Sequence, residues 1–168
     1  SAVHDQSYSY FMHQNFFDHI NIDPANTNFP NGLEQDAAKE CARYDKVIAN
    51  LGGVDLQLLG IGENGHIGFN EPGDKFADTP FAVKLTQSTI DSNKKYFEAV
   101  GDTMPSHALT MGIGDIMRAR KIVLIATGES KAEAVKKLVE GEVSPSCPAT
   151  ILQMHADVQL SCFQKRGS

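Results

Sequence analysis

Two short apolar runs constrain the fold of this chain more than any other feature. The first, VDLQLLGIG, covers residues 54–62, and the second, KIVLIATG, covers residues 121–128. A continuous apolar strand is typical of a parallel sheet that is covered on both faces. Segments with helical spacing precede the first run and follow the second, so strands alternate with helices. This alternation predicts an α/β fold, with a doubly wound, mostly parallel sheet and helices on both faces.

The helices are predicted where apolar residues recur every three or four positions. They cover residues 7–20, 34–50 and 129–141, and Gly52-Gly53 ends the second. The predicted inward positions are Tyr10, Phe11, Phe16, Phe17 and Ile20 in the first, Ala37, Cys41, Tyr44, Val47 and Ile48 in the second, and Ala134, Val135, Leu138 and Val139 in the third. Between the two apolar runs, AVKLTQ and HALTMGIG are predicted as strands and STIDSNKKYFEAV as a helix.

Composition limits the class of protein and its partners. A chain of 168 residues is expected to form a single domain, residues 1–168. The net charge of -6 argues against nucleic acid or an acidic membrane surface as a partner. No apolar run approaches the ~20 residues of a membrane span. The three cysteines are widely spaced and form no Cys-x-x-Cys pair, so neither a disulfide framework nor a zinc ribbon is predicted and a cytoplasmic location is expected.

The two ends of the chain are polar. It starts within SAVHDQSY, without an initiator Met, and it finishes on SCFQKRGS. We therefore expect a partial chain, with a disordered tail from about residue 163 to residue 168.

The segment LLGIGENGHIGFNEPG, residues 58–73, concentrates the groups that can carry chemistry. It follows the first predicted strand, and ligands of open α/β sheets collect beyond the carboxyl ends of strands. His66 can exchange a proton near neutral pH, and Glu71 is the nearest carboxylate that could fix its tautomer. Gly62 and Gly65 let the backbone turn tightly and approach a ligand. From the residues alone, a capping or surface histidine in a plain turn remains an open alternative.

Residues 59–73, LGIGENGHIGFNEPG, resemble the signature of the glucosamine-6-phosphate deaminases, a family that also contains related hexosamine-phosphate isomerases. HDQSYSYFMHQNFFDHINI, HALTMGIGDIMRARKIVLIATGESKA and TILQMH follow the family's order, so the resemblance spans residue 4 to about residue 160. It implies a Rossmann-like, three-layer fold and the conversion of glucosamine 6-phosphate and water to fructose 6-phosphate and ammonia. No cofactor and no metal are implied.

The resemblance also implies roles for individual residues. His66 matches the acid/base that opens the sugar ring, and Glu71 matches the carboxylate that orients it. Asn64 stands where many members have Asp. Because an amide cannot exchange a proton at neutral pH, Asn64 is expected to orient His66 or to bind the sugar, although a plain Asn-Gly turn is equally compatible. Gly62 and Gly65 are expected to lie against the substrate.

Two lysines are candidates for the substrate's phosphate. Lys131 matches the family's phosphate-binding lysine and opens the helix after ATGES, where the helix dipole favours an anion. Lys95, next to Lys94, stands where the family has an arginine. A lysine supplies charge without a bidentate fork, and a solvated helix face is the open alternative for this pair.

Two features of the family have no counterpart in the sequence. They are a Gly-rich phosphate loop and the Asp of an Asp-Glu-Tyr segment, which moves the proton between two sugar carbons. Because both precede the matched region in the family, we expect the chain to lack the N-terminal part and to be a poor catalyst alone.

Other functions remain open from the sequence. One is a hydrolase similar to 6-phosphogluconolactonase, which has a comparable Gly-rich loop with a histidine, and another is a non-catalytic fragment that binds hexosamine phosphates. A metal site is not predicted, because His13 and His19 lie on opposite sides of a helix. The expected partner is a small-molecule hexosamine 6-phosphate, without nucleic acid or membrane, and a homo-oligomer is compatible with the sequence.

Overall fold

The computed structural model describes residues 4–85, 87–99, 101 and 103–163. The helices are α1 Tyr8–Asn15, α2 Ala37–Asn50, α3 Gln87–Glu98, α4 Ile113–Met117 and α5 Ala132–Glu140. The strands are β1 Leu56–Gly60, β2 Phe81–Lys84, β3 His107–Thr110, β4 Lys121–Thr127 and β5 Val158–Phe163. Short 3₁₀ segments are Phe17–His19, Pro24–Asn26, Glu129–Lys131 and Pro148–Met154. In the described part of the chain, no helix has the length and apolar character needed to cross a membrane.

The chain divides into two compact units. The first comprises Ser1–Val47 and Ala82–Leu109, and the second comprises Ile48–Phe81 and Thr110–Ser168. The second unit contains the main sheet and the whole of the Gly-rich segment that the sequence singles out.

The second unit is built on a parallel sheet with the strand order β1-β4-β5. Leu59 of β1 pairs with Leu124 of β4, which pairs in turn with Leu160 of β5. Leu124 is fully buried, as is Ile122 two residues earlier, because alternate side chains of β4 point into one core. The predicted mostly parallel α/β sheet is thus confirmed.

Helices α4 and α5 and the segment Pro148–Met154 supply the other side of this core. The core residues they contribute are Ile113, Ile116, Ala134, Leu138, Ala149 and Leu152. The opposite face of the sheet carries Leu56 and Leu58, which are 57% and 61% exposed. One face of the sheet is therefore packed, whereas the other shows apolar side chains to solvent.

The first unit gathers aromatic rings and a buried carboxylate. Tyr8 and Phe17 each make an edge contact with Phe29. Glu40 of α2 is buried, and its carboxylate accepts hydrogen bonds from Arg43 and from the backbone N–H of Asn31. This carboxylate ties the loop before α2 to the helix.

Four sequence predictions differ from the structure. AVKLTQ and HALTMGIG contribute β2 and β3, which form a separate two-stranded sheet. The strand predicted through HALTMGIG ends at Thr110, because the N–H groups of Gly114 and Asp115 bond to the carbonyls of Ala77 and Asp78 at the start of α4. The helix predicted over residues 7–20 ends at Asn15, and none of its residues is buried. Val139, predicted to point inward, is 59% exposed.

The sequence did not predict the strand β5, which extends to Phe163. Ser161, Cys162 and Phe163 belong to β5 and pair with Ile125, Ala126 and Thr127 of β4. The strand begins at Val158 with alternating apolar and polar residues. It was missed because the residues after Phe163 are polar. Residues 164–168 of the predicted tail lie outside the described residues.

Candidate active site

The Gly-rich loop begins directly after β1, at the carboxyl end of that strand. Its backbone closes on itself, since the N–H of Gly62 donates to the carbonyl of His66 at 2.9 Å and the N–H of Gly65 donates to the carbonyl of Gly62 at 3.0 Å. Gly65 has a φ of 84°, a left-handed conformation that favours glycine. The N–H of Ala149 donates to the carbonyl of Gly65 at 2.9 Å, which anchors the turn to the 3₁₀ segment Pro148–Met154.

The loop brings His66, Asn64 and Glu71 together. The Nδ1 of His66 lies 2.8 Å from the Oδ1 of Asn64 and 3.4 Å from the Oε1 of Glu71. The Nδ2 of Asn64 donates to the Oε2 of Glu71 at 2.7 Å. The side chains of His66 and Glu71 are 31% and 22% exposed, so both are partly sheltered, whereas Asn64 is exposed and solvent reaches the site. Both residues were suggested as partners by the sequence, and Asn64 is the closer partner of the imidazole.

These contacts determine which nitrogen of His66 carries the proton. A carboxylate only accepts hydrogen bonds, so the NH₂ group of Asn64 must face Glu71. The Oδ1 of Asn64 then faces His66, and it also accepts the backbone N–H of His66 at 3.2 Å. Nδ1 must therefore be the donor, and the neutral ring keeps its lone pair on Nε2. In the part of the chain that the structure describes, no hydrogen bond engages Nε2.

Close packing explains why glycine occupies positions 62 and 65 of the site. A Cβ atom on Gly62 would lie 2.3 Å from both Cε1 and Nδ1 of the His66 ring. A Cβ atom on Gly65 would lie 2.3 Å from the Sγ of the buried Cys147. The N–H groups of both glycines are engaged within the loop. A contact of these residues with substrate stays a prediction, and the packing against His66 and Cys147 is what the structure shows.

Lys131 carries the positive charge next to this loop. It ends the 3₁₀ segment Glu129–Lys131 and immediately precedes α5. Its Nζ lies 4.0 Å from the Oε1 of Glu63, the residue before Asn64. The Lys131 side chain is 25% exposed, whereas Glu63 is 67% exposed. A carboxylate partner for Lys131 was not predicted, because nothing in the spacing of charges connects two residues so far apart in sequence.

The second predicted phosphate lysine, Lys95, belongs to the first unit. Lys95 falls within the range of α3, but its side chain lies outside the described residues. The neighbouring Lys94 is 59% exposed and its Nζ lies 3.3 Å from the Oε1 of Glu98. A role for Lys95 toward phosphate stays a prediction.

Comparison with known proteins decides the family. Residues 1–161 match the family described as glucosamine-6-phosphate isomerases and 6-phosphogluconolactonase. The chain belongs to this family. It is 53% identical over 160 residues to a glucosamine-6-phosphate deaminase of Clostridium perfringens strain SM101, and 49% identical over 168 residues to one of Thermoanaerobacter pseudethanolicus. These matches cover 95% and 100% of the chain, which spans 66% of the length of each relative.

Solved structures support the same family fold. The structure of a monomeric glucosamine-6-phosphate deaminase superposes with a TM-score of 0.89 at 43% identity, covering 98% of this chain and 68% of that one. A 6-phosphogluconolactonase from Thermotoga maritima superposes with a TM-score of 0.73 at 16% identity, covering 98% of this chain and 68% of that one. The second likeness concerns the fold alone. Family membership and fold thus agree with the expectation from the Gly-rich segment.

Proposed function

We propose that this chain is part of a glucosamine-6-phosphate deaminase, which converts glucosamine 6-phosphate and water to fructose 6-phosphate and ammonia. The observation that carries the proposal is the contact of His66, Asn64 and Glu71, which leaves Nε2 of the imidazole as an available base. The relatives that are about half identical to the chain are named for this activity.

The first step assigned to the site is opening of the sugar ring. Nε2 of His66 takes the proton of the anomeric hydroxyl while the bond between C1 and the ring oxygen breaks, so that a C1 aldehyde forms. The imidazolium then gives a proton to the released ring oxygen, which becomes a hydroxyl. A well-placed acid/base of this kind contributes about 10²–10⁴-fold in rate.

Asn64 and Glu71 support both protonation states of His66. In the neutral state, Asn64 accepts the Nδ1 proton and holds the productive tautomer. In the imidazolium state, the Glu71 carboxylate 3.4 Å away offsets the added positive charge. Asn64 can bridge the two groups but cannot take a proton itself, which assigns it to orientation.

The later steps need a proton transfer between C2 and C1 of the open sugar. That transfer turns C1 into a primary alcohol and the C2 amine into an imine, which water replaces with a ketone as ammonia leaves. His66, Asn64 and Glu71 are already committed to ring opening, and no other carboxylate of the chain matches the family's proton-transfer residue by motif. The ring-opening step is therefore the part of the reaction that these residues explain.

Lys131 is proposed to bind the phosphate group. It lies at the start of α5, where the positive end of the helix dipole adds to its charge. Binding of phosphate would replace the contact with the exposed Glu63 carboxylate, whose loss costs little in solvent.

Exchange between the α and β anomers of glucosamine 6-phosphate tests the proposal directly. Anomers interconvert through the open sugar, so exchange measured by NMR reports ring opening without the later steps. We expect the chain to accelerate exchange and His66→Gln to abolish the acceleration. His13→Gln is the matched control, because Nδ1 of His13 also contacts a carboxylate, Asp18, at 2.9 Å. Equal exchange with the wild-type and H66Q chains would refute the assignment.

Product assays distinguish the alternative activities. Ammonia and fructose 6-phosphate are measured with glucosamine 6-phosphate as substrate, with the Clostridium perfringens relative as positive control. Hydrolysis of 6-phosphogluconolactone is measured in parallel. Lactone hydrolysis without anomer exchange would support a lactonase instead, and binding without either would support a non-catalytic role.

A further inference from the structure

Asn70 is a buried polar residue that the sequence did not single out. It is 5% exposed and immediately precedes Glu71. Its Nδ2 donates two hydrogen bonds, to the carbonyl of Ile67 at 3.0 Å and to the carbonyl of Met111 at 2.9 Å. Among the described residues its Oδ1 is buried without a hydrogen-bond partner. Leaving the Oδ1 of Asn70 buried without a partner destabilises the fold. The two hydrogen bonds that Nδ2 donates offset this cost, and they are the physical reason for an amide at this position.

These bonds tie the turn before Glu71 to a segment distant in sequence. Ile67 and Asn70 face each other across the turn, where the N–H of Asn70 also donates to the carbonyl of Ile67 at 3.1 Å. The N–H of Phe69 donates to the Oγ1 of Thr110 at 3.1 Å, next to Met111. Gly68 has a φ of 57°, and a Cβ atom there would lie 3.0 Å from the same Oγ1. These hydrogen bonds and the close packing at Gly68 hold the turn against Thr110 and Met111.

The position of this turn sets the position of Glu71. Its carboxylate must reach Nδ2 of Asn64, which lies on the other side of the turn and in turn holds His66. On the loop's far side, the N–H of Gly73 donates to the carbonyl of Pro145 at 3.0 Å. Glu71 thus lies between two hydrogen-bonded positions. Asn70, on one side, bonds to Met111, and Gly73, on the other, bonds to Pro145.

We propose that Asn70 is a positioning residue that places Glu71 against Asn64 and thereby fixes the tautomer of His66. This role rests on the proposed function, in which Nε2 of His66 must be unprotonated to act as the base. Without the Asn70 amide, Glu71 drifts from Asn64, the Asn64 amide is free to turn over, and His66 populates the Nε2–H tautomer. Among the described residues the Asn70 amide bonds to the carbonyls of Ile67 and Met111 and not to His66, so its effect on the imidazole is exerted through Glu71.

The test is the ¹⁵N NMR spectrum of the His66 ring, which distinguishes the two neutral tautomers without any substrate. The chain has six histidines, and the spectrum of His66→Gln assigns the signals of His66. We expect the Nδ1–H form in the wild-type chain and a mixture in both Asn70→Ala and Glu71→Ala. In the double variant, N70A should add nothing to the effect of E71A, because both act on one contact.

A merely structural role predicts a different pattern. Leu138→Ala removes a buried core side chain from α5 and serves as a control of matched or greater destabilisation. It should leave the tautomer unchanged. Asn70→Ser and Asn70→Asp provide further variants should N70A fold poorly. A wild-type spectrum of His66 in any folded Asn70 variant overturns the proposal.

Kinetics then separate this inference from the proposed function. In a deaminase, N70A should lower kcat for anomer exchange by about 10²-fold, as a small misplacement of a catalytic group does, with KM changed much less. A tautomer change in N70A together with no ring opening by the wild-type chain would refute the proposed function and leave the coupling of Asn70 to His66 intact.

Discussion

Gly62 packs against the imidazole of His66, and a Cβ atom on this glycine would lie 2.3 Å from two atoms of the ring. The backbone of Gly62 does not require a positive φ. Glycine is therefore needed at this position to make room for the imidazole, and not to allow an unusual backbone conformation.

A methyl group at this position should consequently damage the site more than the fold. We predict that Gly62→Ala lowers anomer exchange by about 10²-fold while the free energy of unfolding changes by less than about 1 kcal/mol. Gly60→Ala is the control, because a Cβ atom on Gly60 would meet nothing within 4 Å. Parallel losses of exchange in G60A and G62A would show that the loop, and not the ring contact, is the sensitive element.

Gly65 should respond in the opposite way. Its φ of 84° is unfavourable for alanine, and the added methyl group would meet the Sγ of Cys147. We predict that Gly65→Ala destabilises the fold by about 1–3 kcal/mol, measured by urea denaturation. Cys147→Ala removes the steric part alone, so the cost of G65A should shrink in that background without vanishing. An unchanged cost would mean that the backbone conformation accounts for the whole effect.

The sequence was sufficient for two strands of the main sheet and for the loop, because these depend on local patterns. The apolar run of β4 and the glycines before His66 can be read from neighbouring residues, so β1, β4 and the candidate acid/base could be predicted. The family resemblance then supplied the roles, which the spacing of His66 and Glu71 left open.

The contacts that fix the geometry of the site join residues far apart in sequence. Asn70 bonds to Met111, and Lys131 pairs with Glu63. From the sequence GFNEPG alone, Asn70 is only a polar residue. Its bonding partner, Met111, is brought close by the fold of a distant part of the chain. The strand β5 was missed for a related reason: its pairing partner, β4, determines that it is extended.

Glu40 predicts a pH dependence of the first unit. Hydrogen bonds from the Arg43 guanidinium hold the pKa of the Glu40 carboxyl below its ordinary value, and the N–H of Asn31 adds to the effect. A carboxyl whose pKa is lower in the folded state stabilises that state above its unfolded pKa and loses this contribution as pH falls through its folded pKa. Glu40 should therefore stabilise the unit near neutral pH and cease to do so in acid.

Amide hydrogen exchange in α2 measures this contribution. We predict that Glu40→Gln lowers local stability by about 1–3 kcal/mol near neutral pH, because Arg43 and Asn31 lose a charged acceptor. The difference from the wild-type chain should narrow as the pH falls below the ordinary carboxyl range. Glu98→Gln is the control in the same unit, since its pair with Lys94 is exposed and should contribute little. A difference that stays constant with pH would contradict the role of the carboxylate charge.

Lys131 offers the clearest test of phosphate recognition. Its side chain is 25% exposed, and its Nζ lies 4.0 Å from the Glu63 carboxylate, a long contact that leaves the ammonium group able to bind a better anion. We predict that Lys131→Ala weakens binding of glucosamine 6-phosphate by about 1.5–3 kcal/mol, the value of a charge-assisted contact, measured by titration calorimetry. Lys136→Ala removes the same charge from an exposed position of α5 and should change affinity far less. If K131A and K136A bind the sugar phosphate as tightly as the wild-type chain does, Lys131 belongs to the solvated surface and the phosphate is held elsewhere.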